Sequence, residues 1–165
     1  MPLIVREFQQ PDIPAMTAIW NTVVEAGDAF PQTDSLSPDE ARVFFAAQTY
    51  AGVAASGNEI VGLYILHPNN IGRCGHIANA SFAVNSRIRG RGIGELLVRD
   101  CLAQGRRLGF TLLQFNAVVS TNTAANRLYK KLGFHRLGTI PGGFRMNGGQ
   151  FADINLYYIS LEDKP

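Results

Sequence analysis

The amino-acid sequence predicts an α/β domain built on a central mixed, mostly antiparallel sheet of about seven strands flanked by about four helices, with the fourth and fifth strands parallel. Three observations lead there. Apolar runs without helical period alternate with amphipathic ones in the order strand, two helices, three strands, helix, strand, helix, two strands. A glycine-rich turn, Arg89-Gly-Arg-Gly-Ile-Gly94, joins one buried strand to one amphipathic helix. That helix then fills the whole connection to the next strand, which suits a parallel crossover and is far longer than a hairpin needs.

Each element has its own warrant. Residues 3–8 are a short apolar run read as the first strand. Asp12 is the expected N-cap of a helix with Pro14 in its first turn and Met16, Ile19, Trp20, Val23 and Val24 along one stripe, so Trp20 is expected in the core. Residues 25–34 form a loop rich in carboxylates with one aromatic, Phe30. Ser37-Pro-Asp-Glu40 is a capping box with proline at the first helical position, opening a second helix through Val43, Phe44 and Phe45 to about residue 48. Residues 53–66 read as a hairpin about Gly57-Asn58. Residues 76–84 end in β-favouring types and form a largely buried strand. Beyond the glycines, Ile93, Leu96, Leu97, Cys101, Gln104 and Leu108 recur at helical spacing until Gly109 stops the helix. Residues 111–119 are the next buried strand. Ser120-Thr-Asn-Thr123 then offers caps for a short helix with Ala125, Leu128, Tyr129 and Leu132 on its inner face. Residues 134–140 and 154–161 are the last strands, with residues 141–150 expected as a loop.

Length and composition bound the functions open to such a chain. Its 165 residues, 46% of them hydrophobic, fit a single domain over 1–165 with a proper core. No signal peptide and no membrane span are apparent, so the expected setting is cytoplasmic, with no membrane partner. Cys74 and Cys101 lie far apart without a Cys-x-x-Cys or a nearby His pair, so neither a disulfide framework nor a metal site is expected. A net charge of +2 argues against a nucleic-acid partner. The charge is uneven, however: residues 1–60 hold two basic and eight acidic side chains, and residues 61–165 hold thirteen and five. One acidic and one basic half could serve two ligands of opposite charge.

The glycine turn reads as an anion cradle. The first N–H groups of a helix lack partners and carry a partial positive charge. Glycines let the backbone approach a ligand, and Arg89 and Arg91 add forked donors. Phosphate or pyrophosphate is what such a place binds. No Gly-Lys-Ser/Thr follows, and glycines at 90, 92 and 94 do not fit G-x-G-x-x-G, so neither a nucleotide P-loop nor a dinucleotide fingerprint is present.

Two stretches together resemble the GNAT superfamily of N-acetyltransferases. Arg89, Gly92 and Gly94 match its signature Gln/Arg-x-x-Gly-x-Gly/Ala after the fourth strand. Asn122-Thr-Ala-Ala-Asn-Arg-Leu-Tyr-Lys-Lys-Leu-Gly-Phe134 is similar to the family's run after the fifth strand. The resemblance implies a GNAT-like fold and acetyl-CoA as co-substrate, with no metal. It implies that the turn of Arg89, Gly90, Arg91, Gly92, Ile93 and Gly94 holds the pyrophosphate, that Phe82, Ala83 and Val84 pair with the pantetheine arm as an added strand, and that Asn122 contacts the arm from the other side. Tyr129 would protonate the departing thiolate. It also admits a homodimer.

The residues leave the base open. The strand before the glycines has no carboxylate, so Glu25, Asp28, or His76 through a water are the candidates to deprotonate the amine. Asn79 and Ser81 are expected to orient it. Direct transfer is expected, because Cys101 faces the core stripe; Cys74, beside Arg73 and His76, keeps a covalent route open. The acidic first half suggests a small amine acceptor met by Glu25, Asp28 and Phe30, and Arg145 could pair with a carboxylate, which points to an amino-acid-like molecule. The alternatives are a non-catalytic acyl-CoA-binding regulator and an enzyme acting on protein N-termini or lysines.

Overall fold

The computed structural model describes residues 1–88 and 90–163. Its strands are β1 (Leu3–Glu7), β2 (Tyr50–Ser56), β3 (Glu59–Pro68), β4 (Ile77–Val84), β5 (Leu112–Val119), β6 (His135–Arg145) and β7 (Phe151–Ser160). Its helices are α1 (Ile13–Ala26), α2 (Pro38–Ala46), α3 (Ile93–Arg107) and α4 (Thr123–Lys131), all in the expected order. The strands form one sheet, β1-β2-β3-β4-β5-β7-β6, antiparallel at every junction but β4–β5, where α3 is the crossover. Among the described residues no helix is long and apolar enough to cross a membrane.

Helices cover both faces. On one face, Met16, Trp20 and Val24 of α1 and Phe45 of α2 pack on Val53, Leu63 and Ile65 of the sheet. Trp20 is buried as expected, its ring 4.5 Å from that of Phe30 and 5.0 Å from that of Phe44. On the other face, Leu97, Val98 and Cys101 of α3 and Tyr129 of α4 pack on Tyr64, Leu66, Leu113 and Phe115. The ridge against the sheet is Ile93, Leu97, Cys101 and Gly105 at a spacing of four, with Val98 beside it, and Leu96 and Leu108 are more than a third exposed. The expected stripe is therefore shifted on its flanks, from Leu96 and Gln104 to Val98 and Gly105, because the helix lies along its i, i+4 ridge.

The caps are partly as expected. Ser37 Oγ accepts from the Glu40 N–H at 3.2 Å while the Glu40 carboxylate accepts from the Ser37 N–H at 2.7 Å, a reciprocal capping box. Asp12 stands at the start of α1 without capping it through its side chain. Its carboxylate instead accepts two bonds from the Arg6 guanidinium, at 2.7 and 3.0 Å, and one from the Gln9 N–H at 2.7 Å, tying β1 to α1.

The late loop is shorter than expected. β6 runs on through Pro141 to Arg145 and β7 starts at Phe151, leaving only residues 146–150 as the turn. β6 is an edge strand, where a proline's missing donor is tolerated. The irregular pairing between Ile140 and Phe144 is steadied by the Gly142 N–H donating to Asp153 Oδ1 at 2.9 Å.

Candidate active site

The sheet opens at its one parallel junction. β4 and β5 pair only at Ile77–Leu112 and Ala78–Leu113, so residues 79–84 and 114–119 part company. Where they divide, Asn79 Nδ2 donates to the Gln114 carbonyl at 2.9 Å, satisfying a group the ladder no longer reaches. Beyond it, the β5-facing edge of β4 has no strand partner among the described residues, and a cleft of about 330 Å³ lies between the strands. Asn79, Ser81 and Phe82 line it from β4, and Phe115, Asn116 and Val119 line it from β5. Ala83 turns to the opposite core, against the α1 side, and Val84 is half-buried outside the lining, so these two offer the cleft only backbone.

One end of the cleft is the start of α3. Gly90 and Gly92 have φ of +73° and +71°. These are left-handed values that side chains resist, and a Cβ at either would meet nothing within 4 Å. Gly92 is the N-cap, with no side-chain cap, and its carbonyl takes the first helical bond from the Leu96 N–H at 3.1 Å. The N–H groups of Ile93, Gly94 and Glu95 precede that bond and have no helical acceptor. Gly94 lines the cleft, Ile93 is buried and Arg91 is exposed, while Arg89 lies outside the described residues. The acidic side chain of this first turn is turned away: Glu95 accepts from Lys131 Nζ at 2.7 Å and from Arg99 Nη2 at 2.8 Å. Those two cations, Lys131 first, hold its carboxyl below the usual range.

α4 forms the adjoining wall. Asn122 caps it, its Oδ1 accepting from the Ala125 N–H at 3.2 Å, and it also lines the cleft. Asn126, which was not singled out in the sequence, locks this start in place. Its Nδ2 donates to the Asn122 and Val119 carbonyls at 2.8 and 3.1 Å, and its Oδ1 accepts from Tyr157 and Asn155 at 2.6 and 2.9 Å. The available signal was a second asparagine four residues after the cap, which puts a polar group on the helix's inner face. Tyr129 is buried against Phe115, with ring centroids 4.4 Å apart. It also lines the cleft, and among the described residues its hydroxyl has no hydrogen-bond partner. Burial pushes its pKa above the usual phenol range.

The opposite end is formed by the α1–α2 connection, where Ala29, Phe30 and Pro31 line the cleft. Phe30 is buried on Trp20. Glu25 and Asp28 are exposed and outside the lining, and the Glu25 carboxylate accepts from the Ser35 hydroxyl at 3.0 Å. Arg145, His76 and Cys74 are likewise exposed and outside it, while Cys101 is buried in the core. A link without a local sequence signal joins distant segments: Asn147 Nδ2 donates to the Glu25 and Ala26 carbonyls at 2.9 and 3.1 Å. Gly27 makes room for it, since a Cβ there would collide with the Asn147 carboxamide. Among the described residues no group of His, Cys, Asp and Glu is placed to hold a metal.

Residues 16–134 match the model of the Acetyltransferase (GNAT) family. The chain is 37% identical over 108 residues to the N-acetyltransferase aca1 of Schizosaccharomyces pombe, a match covering 63% of this chain and 52% of that protein. It thus spans about half the length of that curated relative. A GCN5-related N-acetyltransferase from Kribbella flavida is 32% identical in sequence with a TM-score of 0.89, covering 96% of this chain and 97% of that one. A phosphinothricin acetyltransferase from Sinorhizobium meliloti, solved in complex with acetyl-CoA, shares the fold at a TM-score of 0.90 and 20% identity, covering 100% and 94%.

Proposed function

The chain belongs to the acetyltransferase (GNAT) family, and on that premise we propose that this acyltransferase moves the acetyl group of acetyl-CoA directly to the primary amine of a small amino-acid-like molecule. The observation that carries the reading is the splayed β4–β5 pair above an uncapped helix start. A strand edge without a partner and a row of free N–H groups meet in one cleft.

The residues fit the co-substrate. Pyrophosphate suits the backbone N–H groups from Gly92 to Glu95, where the helix dipole favours negative charge and glycine leaves the approach open. The amide groups of the pantetheine arm suit the β4 edge over Phe82, Ala83 and Val84, as an added strand would, with Asn122 on the other side. The bound molecule supplies an activated thioester. Tyr129 supplies a hydroxyl that keeps its proton, because burial disfavours the phenolate, and its lack of a hydrogen-bond partner among the described residues leaves it ready to protonate a departing thiolate. An acyl-enzyme route is not supported: Cys101 is packed in the core, where burial raises its thiol pKa, and Cys74 stands outside the cleft. Phe30, Asn79 and Ser81 are the acceptor contacts that the lining supports, and the cleft's size suits a small molecule.

Release of CoA thiol across a panel of amino-acid amides, lysine peptides and peptides with free N-termini tests this. Amine-dependent release led by small amino-acid amides is expected. Preference for the peptides would overturn the acceptor assignment. Thermal stabilisation by acetyl-CoA with no thiol released by any amine would make the protein a binder.

A further inference from the structure

The acceptor end of the cleft is polar without being charged. Its polar side chains are Asn79, Ser81 and Asn116, set beside Phe30 and Pro31. The amides are already committed: Asn79 Nδ2 holds the Gln114 carbonyl, Asn116 Oδ1 accepts from Gln114 Nε2 at 3.1 Å, and Asn116 Nδ2 donates to Asn69 Oδ1 at 2.6 Å. Such a chain of amides can orient a dipole and cannot take up a proton near neutral pH.

Taken element by element among the described residues, the lining of β4, β5, α3 and the α1–α2 connection includes no titratable group, and α4 contributes only Tyr129. Glu25 at the end of α1, Asp28 in the connection after it, His67 on β3, His76 before β4 and Arg145 at the end of β6 all lie outside the lining. An alkylammonium ion brought against Phe30 and Pro31 would lose water without meeting a counter-charge. Desolvation of that kind favours the neutral amine.

On the premise of the transferase reading above, we propose that the acceptor reacts as the amine already neutral in solution, so that the enzyme selects weakly basic amines, α-amino groups above all, over lysine-like ε-amines. The step balances without a further base. The neutral nitrogen bonds to the acetyl carbonyl carbon, the carbon–sulfur bond breaks, and the Tyr129 hydroxyl proton passes to the sulfur. The proton shed by the nitrogen, carried by water, restores the Tyr129 hydroxyl. An acceptor that starts as an ammonium ion gives its extra proton to bulk solvent before entering. With the α-amino groups of peptides and amino-acid amides at about 7.7 to 8.0 and the lysine amine at about 10.4, the neutral fractions at pH 7 differ by about 300-fold.

The test is kcat/KM against pH for alaninamide, 3-fluoroalaninamide and Nα-acetyl-lysinamide, read as CoA thiol release. Fluorine lowers the basicity of the alaninamide amine with little change in size. The acidic limb of each profile should fall at that acceptor's own pKa, and alaninamide should be favoured over the lysine derivative by about 300-fold at pH 7. One limb shared by all three would reveal an ionising enzyme base and overturn the proposal. Preference for the lysine derivative, or thiol release by other amines with both alaninamides inert, would overturn it as well. Failure of every amine to release thiol would instead sink the transferase reading, and this proposal with it.

Discussion

The α3 side of the cleft is made of backbone, and the α1 side is made of side chains, carried by the α1–α2 connection and by the parted strands β4 and β5. On the α3 side the working parts are the left-handed turn at Gly90 and Gly92, the free N–H groups after it and the unpaired edge of β4. On the α1 side they are Phe30, Asn79, Ser81 and Asn116, and the placing of the connection depends on Asn147, more than a hundred residues further along the chain. A backbone site repeats wherever the same ligand must be held. A side-chain site changes with the acceptor. The contrast predicts that substitutions on the two sides separate cleanly in what they alter.

The largest effect should come from the group placed between the sides. Tyr129→Phe removes a hydroxyl that has no partner among the described residues, so stability should stay nearly constant while kcat falls by about 10²- to 10⁴-fold. Acetyl-CoA affinity should be unchanged. Because burial raises the phenol's pKa, its acid form persists through the usual phenol range, and kcat should show no alkaline limb there. Steady-state kinetics against pH with a melting curve checks all three; a loss of acetyl-CoA affinity would mean that Tyr129 only shapes the pocket.

The next effect belongs to the α3 side alone. Gly92→Val puts a branched side chain at φ +71° into the open space over the turn. The backbone strain costs about 1 to 2 kcal/mol of stability. The loss of approach should weaken acetyl-CoA binding by roughly 100-fold, about 2.7 kcal/mol, as read by calorimetric titration. Retained affinity would break the comparison, since the turn would then be a connection and not a cradle.

The same contrast explains what the sequence disclosed. Element order and the β4–β5 crossover were readable because they rest on periodicity and connection length, and the Gly90–Gly94 turn because it sits within one local stretch. Pro141 obscured the length of β6, since a proline signals an end except on an edge strand, and edge position is a property of the whole sheet. Glu25 and Asp28 were attractive as charges near the cleft, yet both face solvent, because the connection turns Ala29, Phe30 and Pro31 inward instead. Asn126 offered only the signal of its spacing from the Asn122 cap, and Asn147 offered none, because the partners Asn155, Tyr157 and the end of α1 are distant in sequence.

A smaller effect should therefore appear at Asn147. Asn147→Ala removes two donors to the carbonyls that end α1, at a cost of about 0.5 to 1.5 kcal/mol, and leaves the α1–α2 connection less firmly placed. KM for the acceptor should rise several-fold, with acetyl-CoA affinity and kcat kept. Equal changes in both substrates' constants would show that the two sides are not separable.

The smallest effect should touch neither side. Arg6 and Asp12 join β1 to α1 away from the cleft, with the Asp12 side chain 10% exposed and that of Arg6 34% exposed. The Arg6 hydrogen bonds, with the Gln9 N–H assisting, hold the Asp12 carboxyl below its ordinary value in the folded protein. A folded pKa below the unfolded one means that the pair's stabilisation is complete above the ordinary carboxylate value of about 3.9. It is lost as pH falls through the depressed one. Asp12→Asn keeps an acceptor for Gln9 and removes the charge, so it should cost about 1 kcal/mol at neutral pH, after allowance for solvent screening, and converge on the parent protein in strong acid. Denaturant melts at neutral and acid pH measure this, and kinetics run beside them should show both substrates' constants unmoved. A shift in either would mean that the β1–α1 tie reaches the cleft through Trp20 and Phe30, and the side built from side chains would then extend across the whole α1 face.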